Sequence, residues 1–399
     1  MIRHLFKLVW NRKRTHLLIM LEIFLSFVVV FALLVTGLYF FRLYQRPLGF
    51  EYENVWSIYV DRETGEFEWS EEEARTFRHL RHELAGMPEV ESVATAGNHP
   101  FSNSTSLTSW EQEGQPIQTE IVVASSQFHE TLGLTLISGR WFEPQDFALD
   151  WDPVVVDRRL AEQLVGDGDP LGMVLEYGGS GEEERETRVV GVISSFLRGG
   201  HFSESEGFMF ANADEESDVG YATNRLLVRV APGTPADFEE RMLASLQQIG
   251  RNWTFTVLPL VDGRKSKLQE RLIPLAVVGT IGGFLLIMVV LGLTGVMWQN
   301  VVRRTREIGL RCAAGAHRSS IHRQIVLEVM ITASFGVLLG VALGAQVPVI
   351  GPFGFVPFVV IVQGLVISAV FILSLAALCG LYPGWSATRI QPAEALHYE

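Results

Sequence analysis

Four apolar runs set the terms for this chain: Leu17–Phe41, Leu272–Trp298, Ile325–Val347 and Val356–Tyr382. A bilayer core about 30 Å thick needs about 20 helical residues to cross. Each run reaches that length with at most one charged residue inside it. The first is longer than a signal-peptide core and no small-x-small site follows it, so it reads as a retained span. Basic residues before it (Arg3, Lys7, Arg12, Lys13, Arg14) place the N-terminus on the cytosolic side. The alternation then puts residues 42–271 outside, 299–324 inside, 348–355 in a short outer turn and 383–399 inside. Residues 1–16 are expected to lie on the inner surface as an amphipathic helix, with Ile2, Leu5, Phe6 and Val9 on one face.

Charge separates the regions. Residues 42–271 carry 20 basic and 40 acidic side chains, a net of −20; the remainder carries 12 against 5, a net of +7. A domain this acidic has no nucleic-acid partner, because phosphate backbones require a basic face. Both cysteines, Cys312 and Cys379, lie outside it, so it holds no disulfide and depends on its own core.

The segment between the second and third spans is the most distinctive stretch. It holds Arg303, Arg304, Arg306, Arg311, Arg318 and Arg323, with Glu307 as its acid before Glu328. Helix is predicted to continue out of the second span to about Ala314. Gly315 sits where a left-handed helix stop belongs, and Ser319 or Ser320 is placed to cap the next helix. The expected shape is a helix–turn–helix elbow on the inner face, and the second span is expected to protrude towards it. Basic loops are also common in any polytopic protein, and charge alone does not choose between the two readings.

The string Arg306-Glu307-Ile308-Gly309-Leu310-Arg311, followed by Ala314-Gly315-Ala316, closely resembles the signature of permease subunits of MacB/FtsX-type (type VII) ABC transporters. The C-terminal Tyr382-Pro383-Gly384-Trp385, with Gln391-Pro392 and Ala395-Leu396, is similar to the closing motif of that family. Ordered landmarks of its outer domain also recur: Phe128–Leu134, Ser138–Phe142, Asp169–Gly172 and Val189–Val192. The resemblance implies a bacterial inner (cytoplasmic) membrane protein with a periplasmic domain and both termini cytoplasmic. It implies a separate cytoplasmic ABC ATPase, working as a dimer, that touches the elbow through Arg303, Arg304, Arg306, Glu307, Gly309, Arg311, Gly315, Ala316 and His317. Two permease chains per complex, identical or homologous, are implied too, and a periplasmic adaptor or substrate protein is possible in such systems.

The outer domain reads as α+β. Strand, helix and strand follow in order at Val55–Val60, a helix opened by the capping box Ser70–Glu73, and Val90–Ala96. The order returns at Arg225–Val230, a helix from Thr234-Pro235 to Ile249, and Trp253–Leu258. Two βαβ units flanking residues of about 100–216 predict a split, porter-like subdomain with a β-rich one inserted into it. The predicted fold is therefore an α-helical membrane protein with four transmembrane helices plus that α+β periplasmic domain.

Small residues recur every fourth position at Gly279 and Gly283, and at Gly336, Gly340 and Gly344. The spacing permits close helix packing, either within the chain or as a dimer seam. Glu22 and Glu328 lie near the inner ends of their spans and read as structural. Chemistry is not encoded. No G-x-x-x-x-G-K-[ST] is present, so ATP and its Mg belong to a partner subunit and no cofactor is expected on this chain. His79, His82 and Glu83 read as an exposed helix face, a metal site needing more ligands. Ser194 and Ser195 lack a base and orienting acid nearby. The leading expectation is a non-enzymatic permease, exporting or extracting a substrate by mechanotransmission. The alternatives are a non-transporting signal transmitter that activates an envelope enzyme or sensor, and a membrane-anchored binding protein with no ATPase.

Overall fold

The computed structural model describes residues 13–62, 69–177, 185–203, 207–212, 224–235, 237–303, 310, 317–347 and 356–387. The chain divides into two units, Tyr44–Arg271 and the membrane unit Met1–Leu43 with Leu272–Glu399.

In the membrane unit four long helices carry the apolar runs: α1 (Lys13–Tyr44), α6 (Leu260–Arg303), α7 (Arg318–Gly344) and α8 (Phe358–Ala387). All four are long and apolar enough to cross a bilayer. One boundary differs from expectation. α7 starts at Arg318 with His317 as its N-cap, so Ser319 and Ser320 lie in its first turn instead of capping it. The Ser320 N–H donates to the His317 carbonyl at 2.9 Å, a bond that winds the turn one step earlier. The second span belongs to a 44-residue helix, about 66 Å long at 1.5 Å per residue. It extends past the span Leu272–Trp298 on both sides, and the longer described extension, Leu260–Arg271, is on the outer-domain side.

Among the described residues, the outer domain is built on one mixed sheet of eleven strands. In chain order these are β1 (Val55–Arg62), β2 (Val90–Ala96), β3 (Leu107–Gln112), β4 (Gln115–Ala124), β5 (Leu136–Gly139), β6 (Asp152–Asp157), β7 (Val174–Leu175), β8 (Thr187–Ile193), β9 (Phe208–Asn212), β10 (Arg225–Val230) and β11 (Trp253–Pro259). Their spatial order is β11-β1-β10-β2-β4-β9-β6-β8-β5, with β3 on β4 and β7 on β8. The first four strands form the split βαβ unit. β1 lies between β10 and β11, antiparallel to both, so each βαβ repeat is interleaved with the other. Helices α2 (Glu71–Ala85) and α5 (Phe238–Ile249) cover this half, burying Phe77, Leu80, Leu84, Phe238, Met242 and Leu246.

Ser70 caps α2: its hydroxyl accepts from the Glu73 N–H, and the Glu73 carboxylate accepts from the Ser70 N–H at 2.8 Å. The expected start of α5 at Thr234-Pro235 shifts to Phe238. The Thr234 hydroxyl donates to the Ala231 carbonyl at 2.6 Å and closes a turn instead of capping a helix.

The inserted half, from β4 to β5, joins the first across one Cα pair, Ala96 with Ala124. Ser125 reinforces the seam, its N–H donating to the Thr95 carbonyl and its hydroxyl accepting from the Thr95 N–H, both at 3.1 Å. Two parallel pairings, β4 with β9 and β6 with β8, make the sheet mixed. Phe128, Trp141, Phe196, Phe208 and Phe210 form an aromatic centre, with Phe196 and Phe208 in edge contact at 5.0 Å.

Asp157 ends β6 and caps α4 (Arg158–Val165). Its Oδ1 accepts from the Leu160 N–H at 2.9 Å and from the Phe208 N–H at 3.0 Å. Burial pushes its carboxyl up to about 6, against the pull of those two donors. A carboxyl raised on folding binds more protons in the native state between its unfolded value, near 4, and about 6. Stability therefore falls as pH rises through that window, by about 1–3 kcal/mol. Asp157→Asn keeps Oδ1 as an acceptor and removes the charge. Denaturant unfolding of the full chain in detergent is expected to show this variant above wild type at pH 8 and level with it near pH 4. Equal wild-type midpoints at pH 5 and pH 8 would contradict the assignment.

Candidate functional site

Helix α6 is the element that both units share. Strand β11 ends at Pro259 and α6 begins at Leu260, with no loop between them. A strand of the outer sheet therefore feeds directly into a membrane span. Leu260 is fully buried. A Cβ on Gly263 would touch the Phe101 ring, so the helix lies close on that residue. The Arg264 guanidinium stacks over Tyr52 at 4.8 Å and Tyr44 at 5.8 Å. Its Nη2 also donates to the Tyr44 hydroxyl at 3.3 Å. Lys267 bonds the Asn103 side chain and pairs with Glu270. Three turns of α6 are thus fastened to the outer domain before the span begins.

Beneath that anchor lies a buried ion pair. Arg198 Nη2 is 2.6 Å from Glu120 Oε1, with the two side chains 3 % and 10 % exposed. Burial raises the Glu120 carboxyl above its usual range, and Arg198 opposes the rise. His99 nearby is pushed down to about 4 by burial and by the Arg225 and Arg198 charges, so it is neutral at pH 7.

Three residues beyond the outer domain, Pro274 interrupts α6. Proline has no N–H to return to the Glu270 carbonyl, which removes one rung of the helix at the junction.

Helix packing in the membrane unit runs through glycines. A Cβ on Gly336 would meet the Met20 carbonyl and Ile23; one on Gly340 would overlap the Phe27 ring; one on Gly344 would meet Leu365 and Phe31. These three residues of α7 let α1 approach closely. Gly364 of α8 does the same for Val35. Gly279 and Gly283 of α6 face no atom within 4 Å. The Glu22 carboxylate packs against Gly292 of α6, and Glu328 Oε1 is 3.5 Å from Gln324 Nε2.

Of the predicted elbow, Arg303 is the last described residue of α6 and His317 is exposed at the start of α7. Arg304, Arg306, Glu307, Gly309, Arg311, Gly315 and Ala316 lie outside the described residues. No group of three or more metal-ligating side chains occurs among the described residues. Glu83 accepts from the Ser245 hydroxyl at 2.9 Å, His129 stacks on Trp141, and the Ser195 backbone packs on Gly49. Sequence reasoning passed over Arg264, Lys267 and Arg198. The signal was available: Arg264, Lys265, Lys267 and Arg271 put four of the domain's 20 basic residues into eight positions.

Among the described residues, four helices are long and apolar enough to cross a membrane, and the last strand of a mixed-sheet domain runs directly into one of them. Residues 17–244, more than half of the chain, match the model of the MacB-like periplasmic core domain, and residues 279–392 match that of the FtsX-like permease C-terminal region. The chain belongs to the MacB/FtsX-type family of ABC transporter permeases.

Among its relatives, the macrolide export ATP-binding/permease protein MacB 2 of Aeromonas hydrophila is 27 % identical over 357 residues, covering 83 % of this chain and 51 % of that protein. The ABC transporter permease YknZ of Bacillus subtilis is 24 % identical over 269 residues, covering 67 % of this chain and 66 % of that one. The periplasmic region of MacB from Actinobacillus actinomycetemcomitans aligns in structure with 13 % identity and a TM-score of 0.39, covering 56 % of this chain and 97 % of that region. The chain spans about half the length of the MacB proteins it matches first, 51 % and 44 %.

Proposed function

We propose that this permease converts ATP binding and hydrolysis in a separate cytoplasmic ATPase dimer into motion of its periplasmic domain, for export or extraction of a substrate. The observation that carries the reading is helix α6. It is anchored at Leu260, Arg264 and Lys267 in the outer domain and is described as far as Arg303, the first basic residue of the elbow. A displacement at the elbow travels along one continuous helix with no intervening loop. The mechanism needs no catalytic group on this chain; ATP and Mg are held by the partner. The elbow residues Arg304, Arg306, Glu307 and Arg311 pair with charges on the ATPase, while Gly309 and Gly315 allow close approach and the turn. In this reading the termini are cytoplasmic, the membrane is the bacterial inner membrane, and a second permease chain completes the complex. An adaptor or substrate protein would meet the periplasmic domain.

The test is Glu307→Lys in the complete complex. Reversing the charge is expected to lower permease-stimulated ATP hydrolysis at least tenfold, with permease abundance unchanged. Unaltered stimulation would remove the elbow from this role. An envelope hydrolase that copurifies with the outer domain, without export of any compound, would reassign the output to signalling.

A further inference from the structure

The outer domain is strongly acidic, yet it contains one cavity whose wall is basic. The cavity holds about 200 Å³, space for about six waters. Arg198, Arg264, Lys267 and Arg271 line it against two acids, Glu120 and Glu270. Glu120 is already committed to Arg198 at 2.6 Å, and Glu270 stands 3.5 Å from Lys267 with a side chain 59 % exposed. His201 also faces the cavity; its Nδ1 lies 3.1 Å from the Arg46 carbonyl and its Nε2 3.5 Å from Arg264. Burial lowers the His201 pKa and the Arg264 charge lowers it further, which leaves the local field positive without it.

Among the described residues, two guanidinium nitrogens here have no hydrogen-bond partner. Arg198 Nε and Arg264 Nε are buried and unbonded among the described residues, although the Arg198 side chain is only 3 % exposed. A buried donor left without an acceptor costs about 1–3 kcal/mol. Four cations against two acids leave this wall with a local positive excess, which a bound anion would compensate. Guanidinium groups favour planar, bidentate acceptors, and a phosphate presents several oxygens to them. The wall is completed by Gly199 and Gly200, which let a ligand approach the backbone, and by apolar Leu268 and Phe202. Lys267 precedes Leu272, the first residue of the apolar run, by five positions on one continuous helix, about 7.5 Å of axial rise.

We propose that this cavity binds a phosphate-bearing anion, held by Arg198, Arg264 and Lys267 at the point where the outer domain continues into α6. The short distance along α6 to the apolar run makes the phosphodiester of an anionic lipid headgroup the favoured source. Occupancy would fasten the first turns of α6 to the loop at residues 198–203 and so stiffen the element that leaves the domain.

The full chain, purified in neutral detergent, is to be titrated with phosphatidylglycerol, phosphatidylcholine and inorganic phosphate, and binding read by native mass spectrometry and tryptophan fluorescence. Phosphatidylglycerol is expected to bind at least tenfold more tightly than phosphatidylcholine. The double variant Arg264→Gln, Lys267→Gln is expected to lose at least tenfold of that affinity. Glu270→Gln removes an exposed competing acid and is expected to bind two- to threefold more tightly, a gain that misfolding cannot imitate. Saturable binding of inorganic phosphate, sensitive to the same variants and not displaced by phosphatidylglycerol, would keep the site and assign it to a soluble phosphate ester. Equal binding of the anionic and zwitterionic lipids, with no phosphate binding and no effect of Glu270→Gln, overturns the proposal. None of these readouts involves the ATPase, so failure here is separate from failure of the coupling mechanism.

Discussion

Arg198→Ala is expected to destabilise the extracytoplasmic domain by about 3–5 kcal/mol, because it strands a buried carboxylate. Glu120 is 8 % exposed and has Arg198 as its ion-pair partner at 2.6 Å. Arg198 also donates from Nη1 to the Ser102 carbonyl at 3.1 Å, while its own carbonyl accepts from the Phe101 N–H at 2.6 Å. Truncation keeps the backbone bond and loses every side-chain one. With the cation gone, Glu120 keeps its burial and the Ser106 backbone hydrogen bond but loses its ion-pair partner. Its pKa then rises further, and the loss is greatest at alkaline pH, where the carboxyl must stay charged. The paired replacement Arg198→Met with Glu120→Leu removes both charges and is expected to recover most of the stability. Urea midpoints of the full chain in detergent measure all three proteins. A loss below about 1 kcal/mol in the single variant would show that the pair is solvated and contributes little.

Gly49→Ala is expected to cost more than about 3 kcal/mol, which few single methyl groups do. Gly49 has φ of +83°, a region that L side chains rarely adopt, and a Cβ there would overlap the Ser195 carbonyl. The Leu197 N–H donates to the Leu48 carbonyl at 2.9 Å next to it, so neither strand of chain can withdraw without breaking a bond. Gly114 is the internal control. It has φ of +77° and nothing within 4 Å, so Gly114→Ala is expected to cost only about 1 kcal/mol of backbone strain. Similar losses in the two variants would mean that the contact of Gly49 with Ser195 yields without cost. The contact pins the segment that follows α1 to the loop that carries Arg198, so the same variant is expected to weaken phosphate binding in the cavity.

Much of the architecture was legible because its causes are local. A span is about 20 consecutive apolar residues, and a capping box is four. Val90–Ala96 and Arg225–Val230 have the bounds that their β-branched pattern predicts, and α2 opens at its Ser70 cap. The stretch from Phe101 to Gln118 was silent, although it holds β3 and the start of β4. Its alternation is polar on both faces, and its turn, Glu113-Gly114, is carried by two positive φ values instead of a run of turn residues. The start of α5 was misplaced because the Thr234 hydroxyl can either accept from a helix N–H as a cap or donate to the Ala231 carbonyl, and only the fold selects between them.

The sequence alone determined which segments are long and apolar enough to cross a membrane, which part is acidic, and the family to which the chain belongs, because each is written in neighbouring residues. Tertiary structure decided the rest. It joined the two halves of the sheet at Ala96 and Ala124, brought Arg198 to Glu120 across 78 positions, and turned Gly340 to a helix while leaving Gly279 open. Those outcomes depend on which distant surfaces meet, and a surface acquires its partner only when the whole core closes around it.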